Sequence, residues 1–258
     1  MLPRALSNLP FVERFHSLRC VASTSDLARS LTEFPRSGMF VIQADRQTSG
    51  RGRSGAPYFS GEGGLWATIL TPLPSMDGHF RHNRSLSMAI VEASEAFALS
   101  TTGHCPLSIT IKWPNDLYLA DRKLCGILLE NHPARSDMLV MGFGLNVNIP
   151  PAGFPDALRP LATSLSIETG ETVSRSRLLE AIISRYHANL AVDADVLHVS
   201  YLTRLYRRGE PAEVEGKYGV FDGVEPDGRL RLLIGHEVHH AVSGHLRFTD
   251  TTGRLPDA

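Results

Sequence analysis

Strand-like sequence crowds the middle of this 258-residue chain, and it does not alternate strictly with helices. MFVIQADRQ, GLWATILTPL, LSITIKW, LYLADRKLCGILLEN and MLVMGFGLNVNI all read as strands, the fourth as two short strands around a polar turn. One long helical segment interrupts them, RHNRSLSMAIVEASEAFAL, with Leu86, Ile90, Ala93 and Phe97 at helical spacing. A doubly wound parallel sheet needs a crossover helix between successive strands, so the pattern predicts an α+β fold. Helices lie at the flanks. STSDLARSLTEF puts Leu27, Leu31 and Phe34 on one face, with Ser23 or Ser25 as N-cap. Later, Leu178, Leu179, Ile182, Ile183, Tyr186 and Leu190 form one apolar stripe, and Leu197, Tyr201 and Leu205 a second. From about Tyr206 the helical period is lost, and short strands between glycine turns predict a small β-barrel-like domain. The expected division is 1–205 and 206–258.

Composition removes several classes of function. Lys+Arg number 26 against Asp+Glu 27, for a net charge of −1, so a general nucleic-acid binder is disfavoured. With 42% hydrophobic and 21% charged residues the chain is neither disordered nor a coiled coil. A chain of this length buries roughly 70–75% of its unfolded surface and needs no metal or disulfide staple. Cys20, Cys105 and Cys125 form no CxxC pair, which argues against a disulfide framework and against structural zinc. The opening MLPRALSNLPFVERFH lacks the apolar core of a signal peptide. The longest uncharged run, Met138 to Pro155, is broken by glycine, asparagine and proline and is no membrane span. The expectation is a soluble cytoplasmic protein.

Three motifs carry chemistry. QTSGRGRSG (Gln47–Gly55) combines glycines, which permit close approach and unusual torsions, with two guanidinium forks suited to carboxylate or phosphate. It matches neither GxxxxGK[ST] nor GxGxxG, and read alone it also fits a basic surface loop that touches RNA. KWPNDLYLADRKLCG (Lys112–Gly126) sets a stiff Trp-Pro turn before Asn115 and Asp116, oxygen ligands adequate for a hydrated magnesium ion. Lys123 follows, placed to stabilise charge growing on phosphate, and Gly126 leaves room beside it. GFGLNVN (Gly142–Asn148) has two strand glycines, the mark of a bulge or of a ligand against the backbone, then Asn146 and Asn148. A fourth pattern, His236-Glu237-Val238-His239-His240, spells HExxH. Zinc proteases need those histidines on one helix face. In strand-like sequence they stand roughly 13 Å apart, so a solvated histidine cluster is expected. His16, His79, His82, His104, His132, His187, His198 and His245 show no ligand spacing, and Cys125 reads as a packed thiol.

Taken in order, the first three motifs resemble those of biotin protein ligases: Ser-Thr-Asn near the start, GRGRxG, KWPND, a lysine shortly before Gly-Ile-Leu, and a Gly-x-Asn strand. Here they read Ser23-Thr24-Ser25, GRGRSG, KWPNDLYLADRKLCGILLE and GFGLNVN. The resemblance runs from about Phe15 to Asn148 and returns in the C-terminal β region. It implies a mixed sheet with packed helices, of the class II synthetase/biotin–lipoate ligase type, plus an SH3-like barrel. It also implies an ATP-dependent ligase that makes biotinyl-5′-AMP and passes biotin to a lysine of a biotin carboxyl carrier protein. By the same resemblance Ser23, Thr24 and Gln47 hold the ureido head, with Ser25 and Gly126 also in the biotin site. Arg51, Gly52 and Arg53 close over the tail and phosphate, and Lys123 bridges the carboxylate and α-phosphate. Tyr58 stands where a tryptophan is usual and would stack on adenine, Asn146 would face the nucleotide, and Asp116 with Asn115 would hold Mg2+. Ala56, Ser25 and His245 depart from the family pattern. A chain that begins almost at the catalytic region is expected not to bind DNA, and the resemblance leaves a homodimer open. Lipoate ligases and octanoyltransferases share the implied fold, but GRGRSG and KWPND favour biotin.

Overall fold

The computed structural model describes residues 6–73, 78–103 and 107–249, so Cys105 and His104 lie outside the described residues. Its main sheet has seven strands: β1 (Val12–Val21), β2 (Met39–Gln47), β3 (Leu65–Pro72), β4 (Thr110–Lys112), β5 (Asp116–Leu119), β6 (Arg122–His132) and β7 (Arg135–Leu145). Their order is β1-β2-β3-β7-β6-β5-β4. Only β1 and β2 run parallel, and every other ladder in this sheet is antiparallel. A mixed sheet with packed helices is the α+β architecture expected. The edge strand β1 gave no strand signal, because most of its residues are half-buried or exposed without regular alternation.

Helix α1 (Thr24–Arg29) joins β1 to β2. It ends well before Phe34, shorter than its apolar spacing predicts. Leu27, Leu31 and Phe34 still pack together, against Phe40, Ile42, Leu70, Met138 and Val140. Helices α2 (Gly78–Thr102) and α4 (Arg175–Asn189) cover the opposite face of the sheet. Leu178, Leu179, Ile182, Ile183 and Tyr186 of α4 are all buried, as the stripe predicts, and each full aliphatic burial stabilises by about 1.5–3 kcal/mol. Helices α3 (Leu165–Thr169) and α5 (Ala194–Leu202) complete this layer. No helix among the described residues is long and apolar enough to cross a membrane.

The register explains the glycines. Gly126 stands opposite Gly144, Gly144 opposite Trp66, and Gly142 opposite Thr68. Three positions on the face away from α2 therefore lack side chains, which leaves a hollow at the centre of the sheet.

The C-terminal strands β8 (Pro211–Val214), β9 (Lys217–Val224), β10 (Leu230–Ile234), β11 (Glu237–Ala241) and β12 (Arg247–Phe248) form a second, antiparallel sheet in the order β11-β10-β9-β8-β12. The small β unit is present, but among the described residues no ladder joins β11 to β12. The five strands fit the small β unit expected, without showing whether they close into a barrel. Side-chain bonds tie this unit to the main body: Trp113 Nε1 donates to Gly228 O at 2.9 Å, Arg53 to Gly244 O at 3.1 Å, and the Tyr206 hydroxyl to Asp121 at 2.9 Å. The HExxH segment is a turn and a strand. His239 approaches Lys217 and Glu215, whereas His240 meets Glu225 at 2.9 Å. Among the described residues no three His, Cys, Asp or Glu side chains group closely enough to hold a metal ion.

Candidate active site

The hollow over Gly126, Gly142 and Gly144 is the floor of a cavity of about 430 Å³. Ser23, Thr24, Ser25, Gln47, Arg51, Gly52, Arg53, Tyr58, Asn115, Asp116, Lys123 and Gly126 all line it, so twelve of the thirteen residues expected from sequence converge. The exception is Asn146, which is buried just past β7 and does not line the cavity. Its amide donates to Lys123 O at 3.4 Å. The floor glycines accommodate protein groups. A Cβ on Gly142 would sit 2.4 Å from Ser25 Oγ, and one on Gly144 2.4 Å from the Tyr58 ring.

One end of the cavity is neutral and hydroxyl-rich, and its hydrogen bonds have a forced direction. Thr24 N donates to Gln47 Oε1 at 2.7 Å, which fixes the Gln47 amide orientation, since an N–H can only donate to the oxygen. Thr24 Oγ1 donates to the same oxygen at 3.0 Å and accepts from Thr68 Oγ1 at 2.9 Å. Thr68 having given its single proton, Ser25 Oγ must be the donor in its 3.1 Å contact with Thr68. The chain therefore runs Ser25→Thr68→Thr24→Gln47. Ser23 Oγ instead accepts from Asp26 N at 3.2 Å as the N-cap of α1, so its proton remains available to a ligand oxygen. Ser25 and Thr24 retain lone pairs for ligand N–H groups.

The other end is cationic. Arg51, Arg53, Lys112, Lys123 and Arg247 line the cavity, against a single carboxylate, Asp116. Lys123 Nζ pairs with Asp116 at 2.8 Å and lies 5.6 Å from the centre of the Tyr58 ring. The Tyr58 hydroxyl donates to Gly144 O at 2.8 Å, and burial pushes its pKa well above the usual phenol value. Lys112 sits 5.2 Å from the Tyr118 ring centre; burial lowers its pKa, with Asp116 opposing. Arg51 forks onto Asp26 through Nε at 3.2 Å and Nη2 at 2.6 Å. In the loop itself Ser54 (φ 53°) and Gly55 (φ 75°) take left-handed torsions that turn the chain back, and Gly50 gives way to Ser60 and Tyr58 O. Asn115 acts as a brace: its amide donates to Ile127 O, and its own carbonyl accepts from Ile127 N at 2.8 Å.

Sequence reasoning assigned no site role to Lys112, Leu246 or Arg247, which also line the cavity together with His245. Lys112 opens the KWPND run, so its signal was in view. In the C-terminal segment only His245 was marked, by its departure from the family pattern, and the segment reaches the site by the packing of the second sheet.

Both the sequence and the fold match known proteins. The sequence profile of the biotin/lipoate A/B protein ligase family matches residues 18–146. The bifunctional ligase/repressor BirA of Bacillus spizizenii is 33% identical over 167 residues, 63% of this chain and 49% of that protein, so the match spans about half the length of that relative. The biotin–[acetyl-CoA-carboxylase] ligase of Paracoccus denitrificans is 30% identical over 209 residues, 76% of this chain and 85% of that protein. Among solved structures, the biotin protein ligase of Aquifex aeolicus in complex with biotin and ATP is 26% identical with a TM-score of 0.79, covering 92% of this chain and 100% of its own. Motifs, sheet register and relatives agree, and the chain belongs to the biotin/lipoate A/B protein ligase family.

Proposed function

We propose that the protein is a biotin protein ligase. It joins biotin and ATP into biotinyl-5′-AMP with release of pyrophosphate, then passes the biotinyl group to a lysine of a biotin carboxyl carrier protein. The observation that carries this reading is one cavity with two unlike ends, hydroxyls and an amide at one and five cations at the other. A neutral ureido head with an apolar body and an anionic tail matches that polarity, and a triphosphate extends the anionic half.

In the first step a biotin carboxylate oxygen bonds to the α-phosphorus as the bond to the bridging oxygen breaks and pyrophosphate leaves. Ser23, Thr24, Ser25 and Gln47 hold the head and so fix the distance at which the carboxylate meets the phosphate. Lys123, now on Asp116, turns to the oxygens on which charge grows, with Arg51 and Arg53 beside it. Asn146, behind Lys123, steadies that strand end. Tyr58 offers an aromatic edge to adenine. Mg2+ would accompany the nucleotide. Asp116 is the cavity carboxylate able to share it, with phosphates and waters as the other ligands, and the ion would neutralise phosphate charge. In the second step the acceptor amine attacks the acyl carbon and AMP leaves with the electron pair. An acyl-adenylate is lost to water, so the Gly-Arg loop over the cavity protects it.

The reading includes a catalytic unit 1–205 and a C-terminal unit 206–258, a cytoplasmic location consistent with the free thiols of Cys20 and Cys125, and no DNA partner, consistent with the charge of −1. A homodimer is part of the same reading and is read by light scattering. An octanoyltransferase would need a reactive thiol. Cys125 is fully buried and its pKa is pushed far up by burial, the opposite of a nucleophile. The deciding experiment is pyrophosphate exchange into ATP with biotin, lipoate, octanoate or no acid. Exchange that requires biotin is expected. Exchange driven equally by lipoate, or none with any acid by the folded protein, overturns the proposal.

A further inference from the structure

Arg51 belongs to an ion network that the motif does not contain. Its Nε and Nη2 fork onto both oxygens of Asp26, at 3.2 and 2.6 Å, and Nη2 also reaches Glu130 Oε2 at 3.3 Å. Glu130 Oε1 in turn accepts from Arg29 Nη1 at 3.0 Å. Two cations and two anions balance. Asp26 and Arg29 stand on α1 and Glu130 on β6, while Arg51 is in the Gly-Arg loop. Three of the five guanidinium donors are engaged, and both hydrogens on Nη1 are left for a ligand. Asp26 is also the residue whose backbone N–H is capped by Ser23 Oγ, the hydroxyl with a proton to offer.

We propose that Asp26 and Glu130 are positioning residues for Arg51, which latch the Gly-Arg loop to the helix that carries the ligand-head hydroxyls. The inference rests on the ligase reading for the identity of the ligand, but not for the latch itself. A lone arginine on a glycine-rich loop samples many rotamers. Gripped along one edge by two carboxylates, it keeps one orientation in the cavity wall, so less ordering remains when an anion arrives. The grip is reversible. The side chains of Arg51, Asp26 and Glu130 are 27%, 48% and 26% exposed, the regime in which ion pairs exchange readily with water. Because α1 begins at Ser23, a ligand head seated there stiffens the element that holds Arg51. The two ends of the cavity are mechanically joined, directly through Asp26 and through Glu130 by way of Arg29.

The test has two arms. In the ligand-free protein, trypsin cleavage between Arg51 and Gly52, followed by mass spectrometry, is expected to quicken about threefold or more in Asp26→Ala and in Glu130→Gln, and to return toward the parent rate in Asp26→Glu. Pyrophosphate exchange is then measured in the cycle of Asp26→Ala and Arg51→Ala. If Asp26 acts through Arg51, the double variant is no slower than Arg51→Ala alone. Unchanged cleavage in both carboxylate variants, or losses that multiply in the cycle, overturns the proposal. Absence of exchange in the parent would fail the ligase reading instead, and the cleavage arm would then decide the latch alone.

Discussion

Replacing Lys123 by alanine separates catalysis from stability, and the structure sets the size of both effects. Lys123 is 33% exposed and its partner Asp116 26% exposed, so their ion pair belongs to the screened class and contributes no more than about 1 kcal/mol. For a chain of this size such a loss lowers Tm by about 2–4 °C. Among the described residues the ammonium has no other ion pair, and it lies 5.6 Å from the centre of the Tyr58 ring. In the reaction the same charge faces oxygens that become more negative at the transition state in a partly enclosed cavity. Loss of one preorganised donor there costs about 2.7–4 kcal/mol, or about 100- to 1,000-fold in rate. The expected result of Lys123→Ala is therefore a fall of two to three orders of magnitude in biotin-dependent exchange, with a thermal transition almost unmoved. Calorimetry and exchange on one preparation measure both. Exchange within about fivefold of the parent would refute the role, since that is below the effect of a single donor. A collapse in Tm matching the lost activity would refute the argument that the pair is marginal to stability.

Other expectations follow from single contacts. In Gly142→Ala the new Cβ meets Ser25 Oγ at 2.4 Å, so the hydroxyl must move. Overpacking costs about 1–3 kcal/mol, and KM for biotin rises while KM for ATP does not; an equal rise in both would contradict the assignment of that end. Cys125→Ala, at a fully buried thiol, is expected to keep its activity with about 1 kcal/mol less stability, and an inactive but folded variant would return weight to thiol chemistry. His82 is buried against the Tyr186 hydroxyl at 2.6 Å, and burial lowers its pKa from 6.5 to about 4. Between those values the unfolded chain binds a proton that the folded one excludes. His82 therefore makes stability fall as pH drops from about 6.5 toward 4, by at most about 3 kcal/mol, and not above that window. Denaturant midpoints at about pH 7 and about pH 4.5 should differ less in His82→Gln than in the parent, and an equal difference would contradict this.

What was legible in the sequence was local. Each half of the site is a short run whose turn chemistry, charge and glycine spacing lie within about fifteen residues, and the apolar stripe of α4 is a helical period in plain view. What escaped was set by tertiary adjacency. Glu130 is 79 positions from Arg51, and Arg53 bonds Gly244 across 191. No periodicity encodes such partners. Gly142 and Gly144, whose pattern suggests a bulge or a ligand against the backbone, do line the cavity, and they also make room for Ser25 and Tyr58, which no local pattern shows. Asn146 was placed toward the nucleotide by its motif, but β7 stops at Leu145 and the side chain turns to Lys123 O. Helix α1 stopped early because its downstream apolar residues pack from a loop as well as they would from a helix.

The directed chain Ser25→Thr68→Thr24→Gln47 contains no group that gains or loses a proton in ordinary buffers. Its pattern of donors and acceptors is thus invariant to acidity. Lys112, with its pKa lowered by burial, and the ligand's own carboxylate and phosphates stand at the opposite end. A pH titration of affinity consequently works as a spatial probe. No slope originates from the hydroxyl chain itself.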